Sequence, residues 1–372
     1  MIYLDNAASS HPKPSAVIRA VTEQLQKNGA NPGRSGHKMG MDASETIYKT
    51  RKILATSFGT EPETVIFTMN TTDAINRALK GILKPGDHVV ISDLEHNSVF
   101  RPLVALRDRG IITFDIVDTG ESDEDTIKNF CHALRSNTKL VLCTHASNVT
   151  GRLLPIREIG KSCRKEGILF GVDGAQTAGT EFYNLQQDPI DLICIPGHKG
   201  LLGPQGTGAL ILSKPFDLTP VLEGGTGSDS LSELQPKTFP EGYESGTLNT
   251  PGIAGMREGV LFTDRNKNSI RKHETKLRNL FLDEMKNISG YKILGNSENS
   301  VATVSIVHER DHSEKLAQWL DHFGICTRGG YHCSALAHKT LKTLASGSVR
   351  ISFGYKNSER DVYECVKTLK KY

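Results

Sequence analysis

The sequence predicts an α/β protein: a mostly parallel sheet of seven strands covered by helices, followed by a smaller α+β unit. Three observations lead there. Short β-branched runs alternate with helical patterns through the first two thirds of the chain, as repeated strand–helix–strand units require. Several runs are apolar on both faces, the pattern of strands buried between two helical layers. After Leu212 the alternation stops.

In order, the runs predict strands over 64–68, 88–92, 112–117, 139–145, 168–172, 192–195 and 208–212. Between them, periodic segments predict helices over 73–83, 98–109, 122–134 and 156–166. Residues 213–251 are rich in Gly, Ser, Pro and Glu and read as extended loop. Helices over 252–265 and 270–286 follow, then a strand over 301–307 and a helix over 313–322. Strands over 325–328 and 348–353 and a terminal helix from Ser358 complete the smaller unit.

Composition narrows the function classes. The 372 residues are 37% hydrophobic and 23% charged, apolar enough to bury a sizeable core and too apolar for disorder. A net charge of +3 gives no strong pull toward nucleic acid or a membrane surface. Apolar runs fall far short of the ~20 residues that span a bilayer. The first residues carry neither a basic n-region nor an apolar h-region, so no signal peptide is expected. Seven cysteines, an odd number with no CxxC pair, argue against a disulfide framework or a Cys-rich zinc site. A reducing cytoplasm is the expected location.

Four features can carry chemistry. The run Ile193 to Ile195 ends abruptly in Pro196-Gly197-His198-Lys199-Gly200. A lysine at such a strand end is part desolvated, which lowers its pKa and makes the neutral amine a competent Schiff-base nucleophile. The strand over 168–172 ends in Asp173-Gly174-Ala175-Gln176, an acid at the carboxyl end of a strand, where open α/β sheets build sites. A pyridoxal ring needs such a carboxylate at its pyridine nitrogen, because the protonated ring is an electron sink. Asn70-Thr71-Thr72-Asp73 opens a helix with hydroxyls and free amides, either an ordinary cap or an anion site suited to phosphate. Finally, Cys333 lies in a glycine-containing segment beside His332 and near Arg328, neighbours that favour thiolate. Gly329 and Gly330 give that segment backbone freedom.

Two other patterns are weaker. His308-Glu309-Arg310-Asp311-His312 fits H-E-x-x-H, yet it follows a β-branched run, where a turn does not set both histidines on one helical face. The glycine-rich stretch 223–229 lacks a P-loop lysine. No metal is expected.

Together the motifs resemble those of the class V aminotransferase family of fold-type I pyridoxal-phosphate enzymes, and within it the cysteine desulfurase and selenocysteine lyase group. The resemblance runs nearly end to end. It covers Tyr3-Leu-Asp-Asn-Ala-Ala8, Asn70-Thr-Thr-Asp73, Glu95-His96-Asn97-Ser98 and Thr144-His-Ala-Ser-Asn-Val-Thr-Gly151. It continues through Asp173-Gly-Ala-Gln176, Gly197-His-Lys199, Glu244-Ser-Gly-Thr-Leu-Asn249, the segment from Arg328 to Cys333, and Val349-Arg350.

The resemblance implies a large cofactor domain over 15–250 and a small domain from 1–14 and 251–372. It implies pyridoxal 5'-phosphate held through Lys199, with Asp173 at the ring nitrogen and Gln176 at the ring oxygen. His96 would stack on the ring and shuttle protons, and Asn148 would stand near ring and substrate. Thr71, Thr72, His198 and, from the partner subunit of a homodimer, Thr247 would hold the phosphate. Arg350 would bind the substrate carboxylate, with Arg34 contributing across the dimer, and Cys333 would accept sulfur. The implied reaction turns L-cysteine into L-alanine and a persulfide on Cys333, with a sulfur-acceptor protein as a further partner. The alternatives are a selenocysteine lyase acting on L-selenocysteine, another C–S lyase, or a non-catalytic cofactor-binding protein. Lys199 and Arg350 together argue against the last.

Two departures stand out. Pro196 replaces the Ser or Thr often found two residues before the family's His-Lys pair, removing one hydroxyl. Tyr331-His332 stands where the related group often has two histidines before its Cys.

Overall fold

Seven strands form the central sheet of the computed structural model, which describes residues 1–33, 36–295 and 298–372. In chain order the protein begins with β1 (Ile2–Tyr3), α1 (Ser15–Lys27), α2 (Lys38–Phe58), β2 (Val65–Thr68), α3 (Thr71–Ile82) and β3 (His88–Ser92). It continues with α4 (Asn97–Asp108), β4 (Thr113–Val117), α5 (Asp123–Ala133), β5 (Thr138–Thr144) and α6 (Ile156–Lys165). β6 (Leu169–Asp173), β7 (Leu192–Pro196) and β8 (Gly208–Leu212) complete the sheet, in the order β2-β8-β7-β6-β5-β3-β4. β8 runs antiparallel to both neighbours, and the other pairings are parallel.

The alternation of side chains on these strands explains the two layers. Val141, Cys143, Ile193, Ile195 and Ile211 face one apolar cluster. Their neighbours Leu140, Leu142, Leu192, Cys194, Leu210 and Leu212 face another on the opposite side. All seven predicted strands are present, with ends shifted by a residue or so at most. Asn70 opens α3 by accepting the Asp73 amide at 3.0 Å, and Asp73 returns the favour to the Met69 amide at 3.0 Å.

Beyond β8, the two helices predicted over 252–265 and 270–286 are one helix, α7 (Thr250–Met285). The polar stretch 266–269 does not break it, because its side chains bond the helix's own carbonyls. Asn266 donates to the Phe262 carbonyl and Ser269 to the Asn266 carbonyl, each at 2.8 Å. The amino-terminal part of α7 packs Ile253, Met256 and Val260 on the large sheet, and its end packs Leu277 and Phe281 into a third apolar cluster.

That cluster lies against a four-stranded antiparallel sheet. Its members are β9 (Tyr291–Leu294), β10 (Thr303–His308), β12 (Arg328–Gly330) and β13 (Ser348–Ser352), in the order β12-β13-β10-β9. α8 (Ser313–His322), α9 (Ala335–Thr340) and α10 (Glu359–Leu369) accompany it. The strand predicted over 325–328 is divided: β11 (Ile325–Cys326) pairs in parallel with β1, while β12 joins β13. The chain start is thus sewn to the second sheet, and residues 5–13 run from there to the carboxyl edge of the first. α1, α2, α9, β1 and β9 lie where the sequence predicted no element.

Candidate active site

The loops after β2, β3, β5, β6 and β7 leave one edge of the large sheet and converge on a cleft of about 250 Å³. They bring together Asn70, Thr71, Thr72, His96, Ser98, Thr144, Asn148, Asp173, Gln176, His198 and Lys199. Eight of these are predicted site residues, gathered from five separate loops.

Lys199 stands past the end of β7, on a turn that demands glycine. A Cβ on Gly197 would lie 2.1 Å from Thr207 Oγ1. The Gly197 carbonyl accepts the Gly203 amide at 2.7 Å, which closes the turn. Burial lowers the half-buried Lys199 ammonium to about 8, with Arg350 pushing the same way and Asp173 opposing. Roughly a tenth of it is then neutral amine at pH 7. Pro196 is buried in β7 and does not line the cleft.

Asp173 ends β6 almost fully buried, its Oδ1 accepting the Ala175 amide at 2.9 Å. Burial raises its pKa, and Lys199 draws it back. Behind it lies Glu95, a residue to which the sequence assigned no role. Glu95 Oε1 accepts the Ser92 hydroxyl at 2.6 Å and the Thr144 amide at 2.7 Å, while Oε2 has no partner among the described residues. Burial lifts Glu95 to about 8, and the charge on Asp173 adds to the shift. Glu95 is therefore neutral at pH 7.

That assignment has a stability consequence. Folded Glu95 keeps its proton up to about pH 8, whereas the unfolded carboxyl loses it near its ordinary value of 4.5. Stability contributed by the bound proton is present below the unfolded value and is lost as pH rises toward 8. Glu95→Gln keeps the Oε1 acceptor and cannot ionise. Its urea midpoint relative to the parent should rise steadily between pH 5 and pH 8.5, and a pH-independent difference would contradict a neutral Glu95.

His96 caps α4, its Nδ1 accepting the Ser98 amide at 3.0 Å, so the ring hydrogen sits on Nε2. Burial lowers His96 to about 4, with Lys199 adding, and the ring is neutral. Burial likewise lowers His198 to about 4. Two cleft atoms are buried without partners among the described residues: Thr71 Oγ1 and His198 Nδ1. With Thr72, they lie where the first turn of α3 presents its free amides, the place for a phosphate. Gln176 Nε2 donates to the Ala7 carbonyl at 3.1 Å. An oxyanion near the α3 terminus and a protonated ring nitrogen at Asp173 would both be met, so the residues present fit a phosphorylated pyridine cofactor.

Arg350 is buried on β13. Its Nη2 pairs with Asp5 Oδ1 at 2.8 Å and its Nη1 donates to the Asn148 carbonyl at 3.2 Å, while Nε has no partner among the described residues. Arg328 lies opposite it across the β12–β13 ladder. The Asn148 side chain is engaged at both polar atoms: Nδ2 donates to the His332 carbonyl at 2.8 Å, and Oδ1 accepts the Ser334 hydroxyl at 2.6 Å. Asn148 thus ties the cleft wall to the segment bearing Cys333.

Cys333 is exposed and does not line the cleft itself. Its carbonyl accepts the Asn97 amide at 2.8 Å, and Arg328 Nη2 lies 3.8 Å from its Sγ. The sequence reading of its neighbours needs two corrections. His332 cannot favour the thiolate as a cation, because its ring is buried with Nε2 against Ser348, and burial lowers it to about 2. Gly329 and Gly330 are not loose linkers but residues of β12. A Cβ on Gly329 would press within 2.9–3.1 Å of Ser313 and Glu314 backbone and the Ala317 methyl.

Thr247 is exposed and lines a different cavity, beyond Asn70, with Phe67, Met69 and Leu248. A buried Arg51–Glu244 pair at 2.8 Å anchors the start of its loop. Arg34 lies outside the described residues. His308 ends β10 and His312 caps α8, so the H-E-x-x-H histidines do not share a helix. The glycine-rich stretch 223–229 lines a separate cavity with residues up to Pro236.

The mostly parallel sheet, with a lysine and a carboxylate facing one cleft at its carboxyl edge, has the architecture of a fold-type I enzyme. The Aminotransferase class-V family model matches residues 2–364, and the chain belongs to that family. It is 32% identical to a protein of Methanothermobacter thermautotrophicus named "Probable cysteine desulfurase", covering 99% of this chain and 94% of the relative. It is 29% identical to the cysteine desulfurase IscS of Dictyoglomus turgidum, covering 97% and 91%. The apo structure of cysteine desulfurase from Thermococcus onnurineus superposes with a TM-score of 0.92 at 29% identity, covering 100% and 94%.

Proposed function

We propose that this protein is a pyridoxal 5'-phosphate-dependent cysteine desulfurase that converts L-cysteine to L-alanine and leaves a persulfide on Cys333. The supporting observation is the Asn148 clamp, which holds the exposed thiol segment against the wall of the cleft containing Lys199 and Asp173. Lys199 and Asp173 would hold the cofactor's reactive end and ring nitrogen, with Thr71, Thr72 and His198 at the phosphate. When bound, that cofactor accepts the electron pair left at the substrate's Cα.

The chain's own residues do the rest. Arg350, oriented by Asp5 and with Nε unpaired, receives the substrate carboxylate. Lys199, with its lowered pKa, takes the Cα proton as a neutral amine. Neutral His96, with its hydrogen on Nε2, would stand beside the ring and pass protons. Cys333 Sγ attacks the substrate sulfur: an S–S bond forms as the Cβ–S bond breaks, and the carbon fragment leaves as alanine after protonation.

A second copy of the chain is the partner we infer, bringing its Thr247 to the phosphate; an active, fully loaded monomer in sedimentation would contradict this. A sulfur-acceptor protein is the further partner. Seven free thiols suit a reducing compartment such as the cytoplasm, and among the described residues no helix is long and apolar enough to cross a membrane. Alanine and sulfide release from L-cysteine and selenide release from L-selenocysteine, with Cys333 intact or changed to Ala, test the reading. Loss of cysteine turnover alone supports a desulfurase. Full cysteine turnover by the variant moves the assignment to a lyase.

A further inference from the structure

Apart from Asp5, which orients Arg350, the opening motif from Tyr3 to Ala8 and the residues just after it have no part in the chemistry above, yet they touch both halves of the site. At one end, Asp5 pairs with Arg350 and the Ala7 amide donates to Ser352 Oγ at 2.9 Å. Farther along, the Ala7 carbonyl receives Gln176 Nε2. The segment then closes on a single atom, the carbonyl oxygen of His198. Lys13 Nζ donates to it at 2.7 Å, the Ser10 amide at 3.0 Å, Ser10 Oγ at 3.1 Å and Ser9 Oγ at 3.3 Å. A carbonyl oxygen has two lone pairs, so four donors saturate it. Its peptide is the one that joins His198 to Lys199.

Lys13 is the strongest of the four. It is half-buried, and it forms no ion pair among the described residues; its ammonium goes to the His198 carbonyl and to Ser10 Oγ, both at 2.7 Å. Holding a cation there without a carboxylate is unfavourable, and burial lowers its pKa to about 8. The return on that cost is geometric. The His198–Lys199 peptide cannot rotate while its oxygen is held, and rotation there would swing both the His198 ring and the Lys199 stem.

We propose that Lys13 is a positioning residue for Lys199, clamping the His198 carbonyl together with Ser9 and Ser10 so that the lysine meets cofactor and substrate in one orientation. The inference rests on the function proposed above for Lys199.

Lys13→Ala and Lys13→Arg in the cofactor-loaded protein test it. Lys13→Ala should lower kcat by about 10- to 100-fold, the loss expected from a displacement of about 1 Å at the reacting group, with KM within about twofold. The visible circular dichroism of the bound cofactor should weaken at unchanged absorbance, because the ring is no longer seated in one orientation. Lys13→Arg, which still donates to the carbonyl, should restore both signals to near the parent's. Parent-like kcat and dichroism in Lys13→Ala overturn the proposal. So does a loss that tracks a lowered melting temperature and is not rescued by Arg, which marks a merely structural lysine. A parent protein with no visible cofactor band overturns the function reading, and this inference with it. A yellow parent matched by Lys13→Ala overturns this inference alone.

Discussion

Lys199→Ala is expected to lower turnover by about 10⁴-fold or more, since the variant lacks both the amine that anchors the cofactor and the base at Cα. Borohydride reduction of the parent should fix the cofactor covalently to the peptide containing Lys199, and the variant should yield no such adduct. The pKa of about 8 adds a signature in the parent: capture of pyridoxal phosphate by the apoprotein should accelerate as pH rises through that value, because the neutral amine is the reacting form. A reducible adduct on another lysine in the variant would show that the cleft was assigned to the wrong residue.

Asp173→Asn is expected to be nearly as damaging while leaving the protein folded. The substitution keeps an oxygen for the Ala175 amide and removes only the charge. Without that charge the ring nitrogen loses its proton and the ring its electron-withdrawing power. We expect a fall in kcat of about 10³-fold, some 4 kcal/mol of barrier, at full cofactor occupancy. The neutral state of Glu95 sharpens the expectation, because no second carboxylate stands ready to take over. Near-normal kcat in a fully loaded Asp173→Asn protein would refute the role.

The sheet was legible because most of its strands are buried on both faces and several end in residues that cannot continue them, Asp173-Gly174 and Pro196-Gly197 among them. Those same ends line the candidate cleft, so Lys199, Asp173 and Thr71 were candidates from local sequence, whereas His96 came only from the family resemblance. The break expected at 266–269 failed because side-chain hydrogen bonding to the helix's own carbonyls cannot be told from loop formation in a string of residues. The supporting groups were hidden for another reason. Asp5 meets Arg350 across 345 positions and Lys13 meets His198 across 185, and no local pattern encodes such pairings. His332 shows the converse: adjacency to Cys333 says nothing about ring direction, which backbone φ values of 50° and 56° at these two residues turn inward, away from the exposed thiol. Gly329 was read as a hinge for want of knowing that α8 presses on its Cα.

The central claim is that Cys333 takes the substrate's sulfur, and one measurement meets it directly. The cofactor-loaded protein is incubated with L-cysteine, thiols are alkylated without reduction, and the peptide containing Cys333 is weighed by mass spectrometry. The account predicts one added sulfur on Cys333 in the parent, absent when Cys333 is changed to Ala, with alanine formed in step with the persulfide. Alanine and sulfide released at full rate, with Cys333 never gaining mass, would contradict it.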